Sequence, residues 1–496
     1  MKNKIPILLF LGISLLYFFT RLQHLTSIPV FGDEAIYLRW SQIIKNVETL
    51  RFISLNDGKQ PLYMWLVVPL LKLFPTLVAG RLLSILAGYF ILILLIILFA
   101  IYQNFSSKNK EPHLFLIESL TKNIYSNFIP ALIYLFLPFS FFFDRLAIPD
   151  NLLSAFGLLT IIFALLLAKY PRLDLSMLLG LSLGLAWITK SPAIYFVVLS
   201  FLIFVFLGNY KKILYPIISV FISFCIYNLL RLGPQFHQIA LRNLDYIWPI
   251  SEIIRHPLDP LVPHLRDLNS LSAKFISLPL ILLLFINFKK INKLFFVLLL
   301  TFILPLISNL AITKVFTGRY ILFSLPYLIV LMSLGFLNLS KKFKYTLFFI
   351  LLIFIPNIYY QYQLSVNPFT IGLPNSESGY LSGWTSGWGI ENISQYLIEQ
   401  SKASNVIVGT EGYFGTFPDG LQIYTNDIPH LTVFGVDNDL VKIPEKLIDA
   451  RNHGDGVYVI KNSSKNNFIP SDLIKLSLIN TYLKPDGSTI LLYQLL

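Results

Sequence analysis

Long apolar runs alternate with short polar connectors along the chain up to about residue 362. A helix needs about 20 apolar residues to cross the hydrocarbon layer of a membrane. On that scale the pattern predicts helices near 5–22, 79–103, 127–143, 150–168, 175–189, 192–208, 213–230, 273–288, 294–312, 320–338 and 344–362, about eleven in all. Residues 5–19 have the length of a signal sequence, but no small-residue cleavage site follows, so they read as an uncleaved first helix. The apolar stretch 62–75 is short and bounded by Pro61 and Pro75, which predicts a helix lying in the membrane interface. From residue 363 the pattern changes. This tail is polar and rich in Gly and Asn, with β-type runs at 405–410, 456–461 and 489–493 and helical patterns at 390–402 and 443–452. Such alternation predicts a small α/β domain. The expected organisation is a transmembrane domain over 1–362 and a C-terminal α/β domain over 363–496.

Composition supports the membrane reading. Of the 496 residues 55% are hydrophobic and 13% charged, against about a quarter charged in soluble globular domains. The net charge of +13 does not mark a nucleic-acid partner, because the basic residues form no single patch. They recur in short clusters: Lys2 and Lys4; Lys108, Lys110 and Lys122; Lys169 and Arg172; Lys211 and Lys212; Lys289, Lys290 and Lys293; Lys341, Lys342 and Lys344. With about eleven spans these clusters fall in alternate loops on one side, which the positive-inside rule makes the cytoplasm. The expectation is a multi-pass plasma-membrane protein with a cytoplasmic N-terminus and an extracytoplasmic C-terminal domain. Cys225 is the only cysteine and lies in an apolar run, which excludes intrachain disulfides and cysteine-based zinc sites.

The loops on the other side carry mixed acidic, basic and histidine residues. Asp33-Glu34 follows the first span and heads an amphipathic helix to about Val47. Asp33 suits an N-cap; it equally suits a general base that deprotonates an acceptor hydroxyl, with a neighbouring acid tuning its pKa. Lys59, Lys190 and Arg319 each stand where a snorkelling or interfacial anchor would, and each also suits a phosphate. Arg319 in particular can grip phosphate oxygens in a bidentate way. Asp144-Arg145 and Asp150 join two spans; they read either as a surface pair with a helix cap or as functional groups at a span edge. Trp384 and Trp388, just past the last span, suit headgroup anchoring or stacking on sugar rings. His237, His256 and His264 share one outer loop, but their spacing matches no metal-ligand motif. No nucleotide-binding motif is present.

Taken together, these residues resemble the integral-membrane glycosyltransferases of the GT-C superfamily, in the branch of protein O-mannosyltransferases and lipid A aminoarabinose transferases. Asp33-Glu34-Ala-Ile-Tyr37 is similar to the family's Asp-Glu-Ala-x-Tyr in the first outer loop. Lys59-Gln-Pro61-Leu-Tyr63 resembles a Lys-Pro-Pro-Leu segment, Thr189-Lys190-Ser-Pro192 a Thr-Lys-Gly-Pro element, and Arg319-Tyr320 an Arg-Tyr element, while Asp150 matches an acidic residue after the third span. Gln60 replaces the first Pro, and Gly58 stands where the aminoarabinose branch has a Glu, which weakens a carried-over metal site. The resemblance implies a mostly α, polytopic GT-C fold. It implies an inverting enzyme that moves a sugar from a polyprenyl-phosphate donor to an extracytoplasmic acceptor (protein, lipid or glycan). No cofactor is required by this reading; a divalent metal stays open. The implied roles are Asp33 as base, Glu34 and Asp150 as helpers, and Lys59, Lys190 and Arg319 on the phosphate. Tyr37, Tyr63, Arg145, Tyr320, Trp384 and Trp388 would contact substrate. The alternatives are a transporter or flippase of lipid-linked sugars and a non-catalytic assembly protein for surface polymers.

Overall fold

A computed structural model describes residues 4–286, 292–340, 346–465 and 467–496. The basic residues Lys2, Lys289, Lys290, Lys341, Lys342 and Lys344 lie outside these ranges. Among the described residues six helices are long and apolar enough to cross a membrane: Ile5–Leu22, Thr76–Asn104, Asp150–Lys169, Leu214–Leu232, Lys293–Ile312 and Leu322–Ser340. The number rises to eight if each of two bent pairs is one span. One pair, Ser126–Phe136 and Pro138–Asp144, bends by 65°; Pro138 has no N–H to continue the first helix. The other, Leu258–Ile276 and Leu278–Phe285, bends by 100° at Ser277, whose φ is +68°. Two further expected spans are short apolar helices, Leu173–Trp187 and Ser191–Leu207, and Thr346–Val366 carries Pro356 inside it. Apolar sequence thus marks the helices well, while the count of about eleven spans rests on broken and short segments as well as full-length ones. Within the apolar stretch 62–75 a short helix forms over Leu62–Leu70.

Asp150–Lys169 and Leu322–Ser340 are largely buried in the bundle, whereas Ile5–Leu22 and Leu214–Leu232 leave most of their surface exposed. The buried carboxylate Asp144 is paired, because a lone carboxylate there is costly. Asp144 lies 3.5 Å from Arg21 of the first span and accepts hydrogen bonds from Tyr17 (3.0 Å) and Tyr134 (2.7 Å). This corrects the expected surface pair of Asp144 with Arg145. Arg145 is also buried and donates instead to the carbonyls of Gln23 (3.0 Å) and His24.

The tail carries a five-stranded sheet of order β2-β1-β3-β5-β4, built from β1 (Val406–Glu411), β2 (Leu431–Asp437), β3 (Gly456–Asn462), β4 (Leu476–Leu483) and β5 (Thr489–Leu495). β1 pairs in parallel with β2 and β3; β5 runs antiparallel to β3 and β4. β1, β3 and β5 are the strands expected from sequence, with mostly buried side chains. β2 and β4 are not, because their side chains are largely half-buried or exposed and their sequences, such as Leu476-Ser-Leu-Ile-Asn-Thr-Tyr-Leu483, carry less apolar signal.

Candidate active site

The residues singled out in separate outer loops converge at one end of the central helices. Asp150 is the first residue of Asp150–Lys169, and at the opposite end Lys169 donates to the Phe105 and Ser107 carbonyls beyond Asn104. A helix of that length separates the two by about 30 Å. The Asp150 end opens on a cavity of about 320 Å³ lined by Asp33, Tyr37, Asp57, Lys59, Asp150, Lys190, Arg242, Arg319 and Tyr320, among others.

Asp33 enters this cavity because its neighbour fixes the helix start. Glu34 is fully buried, and Arg81 meets it with both Nε (3.0 Å) and Nη2 (2.9 Å). Glu34 also accepts from the N–H of Phe31 (3.0 Å) and of Ala147 (2.5 Å). The remaining Arg81 donors hold the carbonyls of Leu25 (2.7 Å), Ile28 (2.9 Å) and Pro29 (3.2 Å). Glu34, not Asp33, therefore caps the helix Gly32–Asn46, and it pins the incoming chain to the span Thr76–Asn104. It lies outside the cavity lining. Asp33 is left free of capping and faces the cations.

One carboxylate oxygen of Asp33 lies 3.6 Å from Lys59 Nζ, and the other contacts the Arg319 guanidinium directly. Lys59 Nζ also lies 3.3 Å from Asp57, which in turn pairs with Arg242. Lys190 Nζ donates to Asp150 at 2.6 Å, while the second Asp150 oxygen is buried without a hydrogen-bond partner in the structure. Aromatic faces flank the cations: Lys59 lies 5.1 Å from the Tyr37 ring centre, and Lys190 and Arg319 lie 5.6 and 5.5 Å from that of Tyr320. Such faces attract cations.

These neighbours set the charge states. Burial pushes the Asp33 carboxyl up, but Lys59 and Arg319 outweigh it and hold the group well below the usual carboxylate range. Burial pulls Lys59 down, yet Tyr37, Asp33 and Asp57 leave it raised. Arg319 behaves alike, its burial offset by Asp33. Lys190 is lowered, because burial outweighs Asp150 there. The lining holds four cations (Lys59, Lys190, Arg242, Arg319) and three carboxylates (Asp33, Asp57, Asp150), an excess of one positive charge. Leu153, Ile194, Ile247, Ile312 and Phe323 make the apolar part of the wall. The arrangement thus suits an anion attached to an apolar tail.

Other sequence candidates lie elsewhere. Tyr63 is buried and donates to the Gly80 carbonyl at 2.9 Å. Arg145 does not line the cavity. Trp384 is exposed, and Trp388 packs edge-on against Phe369 at 4.4 Å between ring centres. The three histidines do not converge: His264 is buried with Nδ1 2.9 Å from the Leu310 carbonyl, His256 lies 3.6 Å from Asp259, and His237 sits beside Gln238. Among the described residues no group of three or more His, Cys, Asp or Glu side chains is placed to hold a metal ion. Each cavity carboxylate already faces a lysine or arginine, so the residues present do not fit a divalent cation. Asp57 and Arg242 are cavity residues that no sequence motif marked; Asp57 ends a short 3-10 turn before Gly58, which takes φ +66°.

No family model and no curated protein matches the sequence. The fold does match solved structures. ArnT from Cupriavidus metallidurans, a lipid A aminoarabinose transferase, matches in its apo state at 12% identity and TM-score 0.54, over 99% of this chain and 98% of that one. The same protein bound to undecaprenyl phosphate matches at 12% identity and TM-score 0.56, with the same coverage. The Archaeoglobus fulgidus oligosaccharyltransferase tethered to an acceptor peptide matches at 11% identity and TM-score 0.50, over 98% of this chain and 74% of that one. Both are membrane glycosyltransferases of the GT-C type. The protein therefore shares the fold of these two proteins, with apolar helices long enough to cross a membrane and a small C-terminal sheet.

Proposed function

We propose that the protein is an inverting membrane glycosyltransferase that takes a sugar from a polyprenyl-phosphate carrier and delivers it to an acceptor outside the cytoplasm. The observation that carries this reading is the cavity, where Asp33 lies against two cations beside an apolar wall. The GT-C fold and the undecaprenyl phosphate bound to the ArnT neighbour support it. In this reading the first isoprene units lie along Leu153, Ile194, Ile312 and Phe323, and the phosphate sits between Lys59, Lys190 and Arg319. The sugar–phosphate diester carries one negative charge, equal to the cavity's excess positive charge. During transfer the bond from sugar C1 to the phosphate oxygen breaks and its electron pair stays on the phosphate. The cations stabilise the charge that develops there, and such preorganised stabilisation is a large term in catalysis. The acceptor hydroxyl oxygen bonds to C1 from the opposite face and passes its proton to Asp33.

Ion pairing makes Asp33 a poor base on its own. A phosphate that engages Lys59 and Arg319 competes for them, loosens their hold on Asp33 and raises its proton affinity. Donor binding thus arms the base. Asp150, with its open oxygen, orients the acceptor and keeps Lys190 in place. The positive-inside pattern of the basic clusters in the sequence supports a cytoplasmic N-terminus and an extracytoplasmic site. The tail from 363 is an extracytoplasmic α/β domain attached to the 1–362 membrane domain. The test is transfer from polyprenyl-phosphate sugars by the purified chain in lipid. Product is expected with wild type and loss of it with Asp33→Asn, whose donor binding should be retained or tightened because Lys59 and Arg319 lose their competing carboxylate. Donor translocation without any transfer product would instead establish the transporter reading.

A further inference from the structure

The Arg319 loop is held by a residue from beyond the last membrane helix. Glu377 lies in the short turn Asn375–Tyr380 and is fully buried. One of its oxygens accepts from the Gly318 N–H (2.7 Å) and the Thr317 hydroxyl (3.0 Å), and the other approaches the same hydroxyl at 3.1 Å. These two residues immediately precede Arg319. Ser376 supplies a further donor at 2.8 Å. A few residues on, the same segment registers the start of the Asp33 helix. Ser386 pairs with Phe31 in an antiparallel bridge, the Thr385 carbonyl accepts from Gly32 N–H (3.0 Å), and the Gly387 N–H donates to Val30 (2.8 Å). Tyr380, between these two grips, lies 4.2 Å from the Phe31 ring centre to centre. One stretch of chain therefore fixes both members of the Asp33–Arg319 pair.

We propose that Glu377 is a positioning residue that holds the Thr317–Gly318 backbone so that Arg319 faces Asp33 and the donor phosphate, and that the segment 375–387 thereby couples the C-terminal domain to donor binding. The proposal rests on the phosphate role of Arg319 given above and adds a residue that does not line the cavity. Its carboxylate makes charge-assisted hydrogen bonds, roughly twice as strong as neutral ones. Its charge also sharpens the test. If Glu377 were only a nearby negative charge, its neutralisation would make the cavity more positive and tighten anion binding. As a positioning residue its neutralisation lets the loop relax and weakens binding.

The experiment is a binding titration of undecaprenyl phosphate to the full-length protein in nanodiscs, for wild type, Glu377→Gln, Arg319→Ala and the double variant. Thr317→Val is a milder second variant that removes one donor while leaving the Gly318 N–H in place. The expected result is a Kd for Glu377→Gln weaker by about tenfold, the ratio set by about 1.4 kcal/mol. Thr317→Val should shift it in the same direction by less, and Glu377→Gln should add little once Arg319 is gone. Unchanged or tighter binding by Glu377→Gln, or effects that add fully in the double variant, would overturn the positioning role while leaving the phosphate reading intact. A wild type that does not bind undecaprenyl phosphate would overturn both.

Discussion

Adjacent carboxylates in this chain should fail in opposite ways. Asp33 faces the cavity, with side-chain exposure of 22%, whereas Glu34 and its partner Arg81 are both at 0%. Glu34→Gln removes the charge that balances a fully buried guanidinium and weakens four hydrogen bonds, from two Arg81 nitrogens and from the N–H groups of Phe31 and Ala147. Breaking a buried pair by removing one partner costs about 3–5 kcal/mol. Asp33→Asn leaves Lys59 with Asp57 but takes the carboxylate from Arg319, whose side chain is 16% exposed, so it too costs stability, less than the loss of a fully buried pair. Thermal unfolding of the purified variants, followed by loss of monodispersity, reads the first effect. Transfer per folded molecule reads the second. Glu34→Gln is expected to melt well below wild type, and Asp33→Asn to melt above Glu34→Gln while losing transfer. Equal melting of Glu34→Gln and wild type would refute the structural role given to Glu34. A transfer-competent Asp33→Asn would refute the base.

Other outcomes follow from the same geometry. Arg319→Lys keeps the charge but loses the planar fork, so kcat/KM for the donor should fall by about tenfold or more; an unchanged kcat/KM would contradict a phosphate role. Gly88 lies against the buried Tyr17–Asp144 pair, and a Cβ there would fall 2.4 Å from oxygens of both; Gly88→Ala should destabilise by ~1–3 kcal/mol, read as a fall in melting temperature. Asp419 in the tail is raised to about 6, by burial against the opposing Gly415 N–H and Arg39. Because the folded pKa lies above the unfolded one, this group lowers stability as pH rises from about 4 to 6, by up to ~3 kcal/mol at neutral pH. Asp419→Asn should therefore raise melting at pH 7 more than at pH 4.5; an equal effect at both would contradict the assignment.

Much of the site was legible because its charges break a pattern. Lys59, Lys190 and Arg319 stand out as cations in loops where the basic clusters do not fall, and Asp33 and Asp150 as acids at helix starts. Periodicity identified the helices for the same reason, since lipid and bundle core both demand apolar side chains. What stayed hidden depends on pairing across long sequence distances. Glu34 looked like a tuner of Asp33, and only the fold brings Arg81 to it. Asp144 looked like the partner of adjacent Arg145, and only the bundle brings Arg21. Trp384 and Trp388 looked like sugar platforms, and no local signal separates that role from packing. Glu377 sits in a polar tail where one more acid is unremarked; its meaning comes from the Gly318 N–H that the fold delivers to it.

In the proposed mechanism the cavity takes a lipid phosphate between the cations that hold Asp33. A structure of the protein with undecaprenyl phosphate tests it most directly. The phosphate is expected within hydrogen-bond reach of Lys59 and Arg319, with Asp33 released from at least one of them and the isoprene chain along Leu153 and Phe323. A phosphate bound outside this cavity, with the Asp33–Arg319 contact intact, would contradict it.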